Sequence, residues 1–164
     1  MLPKANDLRQ KTAVARERGW LRQDLPQILD LMNCLSVEYD PDSDWQPDNA
    51  MQMRWLKRTF NDPWHYFHVL RVKREIVAIA GLARSRVSGI DGHLHSVYTK
   101  PLFRGLGFGR RVTQGVIEQA RRLGMSSLEM PQTTNPLARA MYLRMGFEVY
   151  EYNFEPHMFL ALKS

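Results

Sequence analysis

A glycine-rich segment, Arg104-Gly105-Leu106-Gly107-Phe108-Gly109, lies where a strand-like run ends and an amphipathic helical pattern begins. Glycines let the backbone turn sharply and approach a ligand without a Cβ in the way. A helix start adds unpaired N–H groups and the positive end of the helix dipole. Residues 100 to 124 include one acidic side chain, Glu118, and six basic ones: Lys100, Arg104, Arg110, Arg111, Arg121 and Arg122. This segment predicts a site for phosphate oxygens.

Two familiar phosphate-binding motifs do not match this segment. A Walker A loop ends in Gly-Lys-Ser/Thr, and a dinucleotide fingerprint has Gly-x-Gly-x-x-Gly in an early βαβ unit with an acidic residue about 20 positions later. Here Gly105, Gly107 and Gly109 alternate, and a series of strand-like runs comes first. For the loop taken alone, a glycine-rich turn without function is the better reading.

A second pattern begins at Asn135 and reads Asn-Pro-Leu-Ala-Arg-Ala-Met-Tyr-Leu-Arg-Met-Gly-Phe. Tyr142 follows Asn135 by 7 positions, nearly two helical turns, so both side chains can face the same side. An aromatic residue on a helix is more often part of the core. The two patterns in this order, with Asn135 placed 31 positions after Arg104, are far more specific than either alone.

The elements in the first part of the chain follow from hydrophobic spacing and from stop signals. A first helix is predicted over 25–35, because apolar residues recur there at helical spacing: Leu25, Ile28, Leu29, Met32 and Leu35. The next segment, VEYDPDSDWQPDN, is predicted to be an acidic loop. A second helix is predicted from about Pro47 to Asn61, where Asn, Asp and Pro stop it.

The rest of the chain predicts a sheet with one helical crossover. An edge strand within 11–20 and strand-like runs at 64–72, 75–84 and 92–99 favour an antiparallel meander. A helix from Phe108 to Leu123 leaves room for one crossover, so the strand at 126–130 is predicted to run parallel to the strand at 92–99. A helix capped by Asn135 and two strands, FEVYEYNF and HMFLAL, complete the chain.

The composition is that of one globular domain. The 164 residues are 44% hydrophobic and 24% charged, which argues against disorder and against fibrous repeats. We expect a loose tail over residues 1–10 and one domain over 11–164. The formal charge of +6 favours an anionic partner without identifying it. Cys34 is the only cysteine, so no intramolecular disulfide can form. The sequence indicates neither a signal peptide nor a membrane span. We therefore expect a cytoplasmic protein.

Together the two patterns resemble the GNAT superfamily of acyl-CoA N-acyltransferases. Residues 104–109 are similar to its Arg/Gln-x-x-Gly-x-Gly/Ala pyrophosphate loop, and Asn135-x-x-Ala138-x-x-x-Tyr142-x-x-x-Gly146-Phe147 is similar to its signature helix. SVYTKP, before the loop, matches its splayed central strand. The likeness covers roughly residues 11 to 162 in element order, and its specific motifs lie within 92–147. The resemblance implies an α/β (α+β) single-domain fold with a mixed, mostly antiparallel sheet of about six or seven strands, about four flanking helices and a parallel, splayed strand pair that binds CoA.

The resemblance implies acetyl-CoA as the co-substrate, with no metal. Backbone amides over residues 104–110 would hold the pyrophosphate: Arg104, Gly105, Leu106, Gly107, Phe108, Gly109 and Arg110. The pantetheine arm would lie beside Val97, Tyr98 and Thr99, and the Val97 amide would polarise the thioester carbonyl. Asn135 and Ala138 would contact the arm, and Tyr142 would protonate the departing thiolate.

A general base is also required, because an amine with a pKa of about 10 is mostly protonated at neutral pH. Many family members carry a Glu where this chain has His93, and that departure leaves the base open. His95 faces the same way as His93 and is the next candidate, and Glu129 on the neighbouring strand is the third. For each of the three, a solvated or structural role is an equal alternative.

The acidic loop is the part that bears on the acceptor. It carries five carboxylates and two aromatic rings: Glu38, Asp40, Asp42, Asp44 and Asp48, with Tyr39 and Trp45. The carboxylates would attract a cationic amine, and the rings could stack on it. A solvated polar loop is the alternative. Other readings are acylation of a protein N-terminus or lysine, or of an aminoacyl-tRNA, and a non-catalytic CoA-binding module. Pure nucleic-acid binding is weaker, because the basic residues concentrate around the glycine loop. A homodimer is compatible with the sequence.

Overall fold

The computed structural model describes residues 15–42 and 46–162. The expected tail over residues 1–10 lies outside this range. The strands are β1 (Ala15–Gly19), β2 (Tyr66–Val72), β3 (Glu75–Arg84), β4 (Gly92–Thr99), β5 (Ser127–Pro131), β6 (Glu148–Tyr152) and β7 (Glu155–Ala161). The α-helices are α1 (Leu25–Tyr39), α2 (Asn49–Thr59), α3 (Phe108–Arg122) and α4 (Pro136–Arg144).

The strands of the described residues form one sheet in the order β1-β2-β3-β4-β5-β7-β6. The pairing of β4 with β5 is parallel, whereas the other neighbouring strands pair antiparallel. α3 makes the connection from β4 to β5, as a parallel pair requires a crossover. The antiparallel meander, the parallel pair, the edge position of β1 and the mixed sheet with four helices are all confirmed.

Two apolar cores lie on opposite faces of this sheet. One holds the inner face of α3, with Val112, Val116 and Ala120, against Leu82 and Leu128. The other holds α1 and α2 against the opposite face, with Ile28, Leu56, Phe67 and Ile79. β3 contributes to both, and this explains why EIVAIAGLAR reads as a continuous apolar run: a strand covered on both faces has no polar side.

The first helix is longer than the sequence analysis predicted. It does not end at Leu35 but runs to Tyr39, because residues 36–39 include no helix breaker and the next proline after Pro26 is Pro41. Glu38 therefore belongs to α1, and its assignment to an acidic loop was wrong. The second helix is confirmed, and the Asp48 carboxylate caps it by accepting a hydrogen bond from the Met51 N–H at 2.8 Å.

The helices of the described residues are too short or too polar to span a bilayer.

Candidate functional site

The glycine loop connects β4 to α3 through a short 3-10 turn, Pro101–Phe103. Gly105 and Gly107 have φ values of 77° and 78°, in the left-handed region that glycine adopts without steric cost. A Cβ built at either position would meet nothing within 4 Å. Phe103 and Phe108 are buried beneath the loop and anchor it. The outer side of the loop is therefore open at the first turn of a 15-residue helix.

The loop lies against two other predicted parts of the site. A Cβ at Gly109 would stand 3.5 Å from Thr99 Oγ1 and 3.7 Å from Met141 Sδ. The end of β4, the first turn of α3 and the helix α4 thus meet at one place. The structure brings together the two motifs that the sequence places 31 positions apart.

The side chain of Asn135 begins α4. Its Oδ1 accepts hydrogen bonds from the backbone N–H groups of Leu137 at 3.0 Å and Ala138 at 3.1 Å. The oxygen therefore serves as the helix cap, and the amide NH₂ is the part of Asn135 left for a ligand.

Tyr142 lies on α4 with 3% of its surface exposed, and its ring packs edge to face against Phe147 at 5.5 Å. Burial raises the pKa of the Tyr142 phenol well above its ordinary value. The phenol consequently remains protonated throughout the neutral pH range, and its O–H can serve as a proton donor.

Arg104 is tied to α1, a link that the sequence analysis missed. Its guanidinium donates to Glu38 at 2.6 and 2.9 Å and to the Thr99 carbonyl at 2.9 Å, and the Tyr98 hydroxyl donates to Glu38 at 2.8 Å. Burial alone would raise the pKa of Glu38, but the hydrogen bonds from Arg104 and Tyr98 hold it below its usual value. The Tyr98 side chain faces α1, and burial together with Glu38 raises its pKa to about 12.

Strands β4 and β5 diverge soon after they begin. They pair at Gly92 with Leu128 and at His93 with Glu129, the two parallel register pairs between them. Further along β4, Ser96 has a φ of 49° and the register with β3 shifts, so that Ser96 and Val97 lie opposite Ala80. Such a bulge leaves a residue without its ladder partner. The strand pair opens, as the family resemblance implies.

The three candidate bases lie on one face of the sheet. Glu129 is 3% exposed. Its Oε1 lies 2.7 Å from His93 Nδ1 and accepts a hydrogen bond from the Ser85 hydroxyl at 2.9 Å. Its Oε2 lies 3.3 Å from His157 Nδ1. Burial alone would raise the pKa of Glu129, but these hydrogen bonds and the charge of His93 hold it below its usual value. His157 was not predicted, because a histidine in a terminal strand carries no motif.

In the described part of the chain no trio of His, Cys, Asp and Glu is arranged to hold a metal ion.

His95 packs among aromatic rings, and its Nδ1 lies 3.0 Å from Ser96 Oγ. Its ring packs edge to face against Phe67 at 5.3 Å and stacks on His93 at 5.8 Å. Gly81 lies so close that a Cβ there would be 2.4 Å from the His95 ring. Desolvation lowers the pKa of His95 to about 3, with a further contribution from His93.

The carboxylates of the acidic segment have separate roles. Glu38 is bound to Arg104 and Asp48 caps α2, whereas Asp40 and Asp42 are exposed. Asp44 and Trp45 lie outside the described residues. A cleft of about 610 Å³ lies beside the exposed carboxylates, lined by Leu35, Ser36, Val37, Tyr39, Asp40, Pro41, Gln46 and Pro47.

Comparisons with known proteins agree on one family. A model of the acetyltransferase (GNAT) family matches residues 25–147. The chain is 30% identical over 134 residues to the uncharacterized N-acetyltransferase YjgM of Escherichia coli strain K12, covering 79% of this chain and 80% of that protein. It is 28% identical over 128 residues to the N-alpha-acetyltransferase RimI of Mycobacterium tuberculosis, covering 77% and 74%. Its fold is similar to that of yncA from Salmonella typhimurium, solved with acetyl-CoA, with a TM-score of 0.76 at 18% identity and coverage of 92% and 95%.

Proposed function

The chain belongs to the GNAT family of acetyltransferases and is an acetyl-CoA-dependent N-acetyltransferase, and we propose that it transfers the acetyl group directly to a primary amine of a small cationic molecule. In this reaction a base first removes a proton from the ammonium form of the acceptor. The neutral amine nitrogen then attacks the thioester carbonyl carbon and forms the C–N bond. As the C–S bond breaks, the nitrogen loses its second proton to solvent and the departing thiolate takes a proton from an acid.

The observation that carries the proposal is the meeting of three elements at the open end of the β4–β5 pair. The left-handed Gly105 and Gly107 leave the first turn of α3 uncovered, and Gly109 lies beside Thr99 and Met141. Backbone amides over residues 104–110 would hold the pyrophosphate, because a helix start with open glycines suits an anion.

The same arrangement supports a path for the rest of the cofactor. The pantetheine arm would lie between the diverging strands and pair with the backbone near Val97 and Thr99. The bulge at Ser96 and Val97 supports a role for the Val97 amide as a donor to the thioester oxygen, because a bulged residue is released from the strand ladder. Asn135 and Ala138 would contact the arm from α4.

Two side chains would move the protons. Tyr142 is the proposed acid, since its buried phenol stays protonated and lies on the helix that contacts the loop. His93 is the proposed base, since 31% of its side chain is exposed and it lies at the last register pair of β4 with β5. His95 suits that role less well, because a group with a pKa of about 3 has little affinity for a proton at neutral pH.

The charge beside the large cleft supports a cationic acceptor. Asp40 is exposed in its lining, Asp42 is exposed two positions further along the chain, and Tyr39 offers an exposed ring for stacking. A second candidate is the α-amino group of a protein or peptide, which the likeness to an N-alpha-acetyltransferase supports. We also propose a cytoplasmic location, because the single cysteine, Cys34, suits a reducing compartment.

A thiol-release assay with a panel of amines tests the proposal. The purified chain is mixed with acetyl-CoA and with polyamines, amino acids, aminoglycosides, peptides or aminoacyl-tRNA. We expect thiol release that depends on a polyamine or another small polycation. Release with peptides only would favour the α-amino group, release with aminoacyl-tRNA only would favour an RNA-borne acceptor, and acetyl-CoA binding without release would favour a non-catalytic CoA-binding module.

A further inference from the structure

We propose that Glu129 is a positioning residue: its buried carboxylate holds the His93 imidazole with the proton on Nδ1, so that Nε2 is the atom that takes the proton of the acceptor amine. The catalytic part of this inference rests on the proposed function. The orientation and protonated nitrogen of His93 are properties of the folded chain and do not rest on it.

The hydrogen bonds around Glu129 determine which histidine nitrogen carries the proton. An ionised carboxylate can only accept hydrogen bonds, so any nitrogen bonded to it must be a donor. Both His93 and His157 approach Glu129 through Nδ1, at 2.7 and 3.3 Å. Burial alone would raise the pKa of Glu129, but the hydrogen bonds from His93, Ser85 and His157 lower it, as expected of an ionised acceptor. Each Nδ1 therefore carries a hydrogen, and each neutral ring presents a lone pair at Nε2.

The pair lies at the point where the sheet opens. His93 and Glu129 are register partners at the last parallel pairing before β4 and β5 diverge. The His93 ring is also held from one side by His95, stacked at 5.8 Å with 12° between the ring planes. A ring held by a hydrogen bond and by a stacked neighbour has little freedom to flip, and 31% of the His93 side chain remains exposed.

The charge of the cluster suits a base at His93. The Glu129 carboxylate lies within hydrogen-bond distance of both rings, so an imidazolium formed at His93 would be paired with that carboxylate. The other groups near the cluster are His95 on β4, the Ser85 hydroxyl, and Tyr150 and Tyr152, whose rings lie 5.6 and 5.5 Å from the His157 ring on β7.

The first test measures the His93 tautomer directly. Long-range ¹H–¹⁵N spectra of the ¹⁵N-labelled wild-type chain distinguish Nδ1–H from Nε2–H, and a His93→Gln variant assigns the signal. We expect the Nδ1–H tautomer at neutral pH. An Nε2–H tautomer, or a ring that exchanges between both, would overturn the inference. This measurement needs no activity, and the tautomer itself is read from the wild-type chain.

The second test uses Glu129→Gln, which keeps the side-chain shape but removes the charge. We expect kcat to fall by about 10²-fold or more while the KM for acetyl-CoA is unchanged, because Gln can donate to Nδ1 and favour the wrong tautomer. The acid limb of the kcat/KM profile should move to lower pH, since the imidazolium loses its counter-ion. Glu155→Gln, the same change at an exposed position of β7, should leave both readouts unchanged.

The outcomes separate this inference from the proposed function. A Glu129→Gln enzyme with wild-type kcat and an unmoved pH profile would refute the positioning role. If the wild-type chain acetylates no amine, the proposed function fails, yet the tautomer of His93 still decides whether Glu129 orients the ring.

Discussion

Replacing Gly107 with glutamate tests the glycine loop at its most exposed point. Gly107 is the residue before α3, its φ is 78°, and a Cβ there would meet nothing within 4 Å. A larger residue therefore fits without a clash. The left-handed backbone conformation costs an L residue about 1–2 kcal/mol. That cost lowers the Tm by about 2–4 °C for each kcal/mol in a chain of this size. The variant should remain folded.

The effect on acetyl-CoA binding should be much larger than the effect on stability. The new carboxylate would stand beside the pyrophosphate, and two unit charges about 4 Å apart repel by about 4 kcal/mol at an effective dielectric constant of about 20. Solvent at this exposed position weakens the repulsion. A repulsion of half that size, about 2 kcal/mol, still weakens acetyl-CoA binding by about 30-fold. We expect the Kd of acetyl-CoA to rise by 30-fold or more, on the order of 10²-fold.

Gly124 supplies the matched control. It follows the other end of α3, its φ is 75°, and a Cβ there would also meet nothing within 4 Å. Gly124→Glu carries the same charge and a similar backbone cost, far from the loop. Titration calorimetry on both variants, with thermal melts to confirm folding, gives the comparison. Equal affinity in wild type and Gly107→Glu, or an equal loss in Gly124→Glu, would refute the loop as the pyrophosphate site.

Three further predictions address other parts of the molecule. Tyr142→Phe should lower kcat by about 10²-fold with little change in acetyl-CoA affinity, because only the phenol proton is lost; a wild-type kcat would leave the hydroxyl without a catalytic role. The double substitution Asp40→Asn and Asp42→Asn should raise the acceptor KM by up to about fivefold for each charge removed, and by less at high salt. If kinetics at two salt concentrations show no change, neither carboxylate contributes to acceptor binding. Gly115→Ala should lower the free energy of unfolding by about 1–3 kcal/mol or more, because its Cβ would lie 2.3 Å from the His68 ring; an unchanged denaturation midpoint would contradict the packing.

The sequence predicted the features that depend on local pattern or on chain connectivity. The glycine loop at the start of α3 and the Asn135 cap are marked by residues within a few positions of each other. The parallel pairing of β4 with β5 follows from the length of the crossover between them, and a strand buried on both faces is visible in the apolar run of β3. These features were confirmed because short-range chemistry or chain length determines them.

The remaining features depend on pairs of residues far apart in the chain. Glu38 is 66 positions from Arg104, and its carboxylate was grouped with the acidic loop because the end of α1 has no strong stop signal. The contact of His93 with Glu129, across 36 positions, needs the exact register of two strands, and a shift by one residue would turn one side chain to the other face. A single sequence shows which residues can make such bonds, but the register that brings them together is a property of the folded sheet.

The central claim, acetyl transfer to an amine at the open end of the β4–β5 pair, is tested most directly by following a labelled acetyl group. The wild-type chain is incubated with acetyl-CoA labelled with ¹³C in the acetyl group and with the amine that gives the fastest thiol release. Mass spectrometry then measures the acetylated amine, and a thiol reagent measures free CoA. We predict labelled N-acetyl product in equal amount to the thiol released, and about 30-fold less of both with Gly107→Glu when the acetyl-CoA concentration is below the wild-type Kd. Thiol release without a labelled amine, or equal product from Gly107→Glu, would contradict the account.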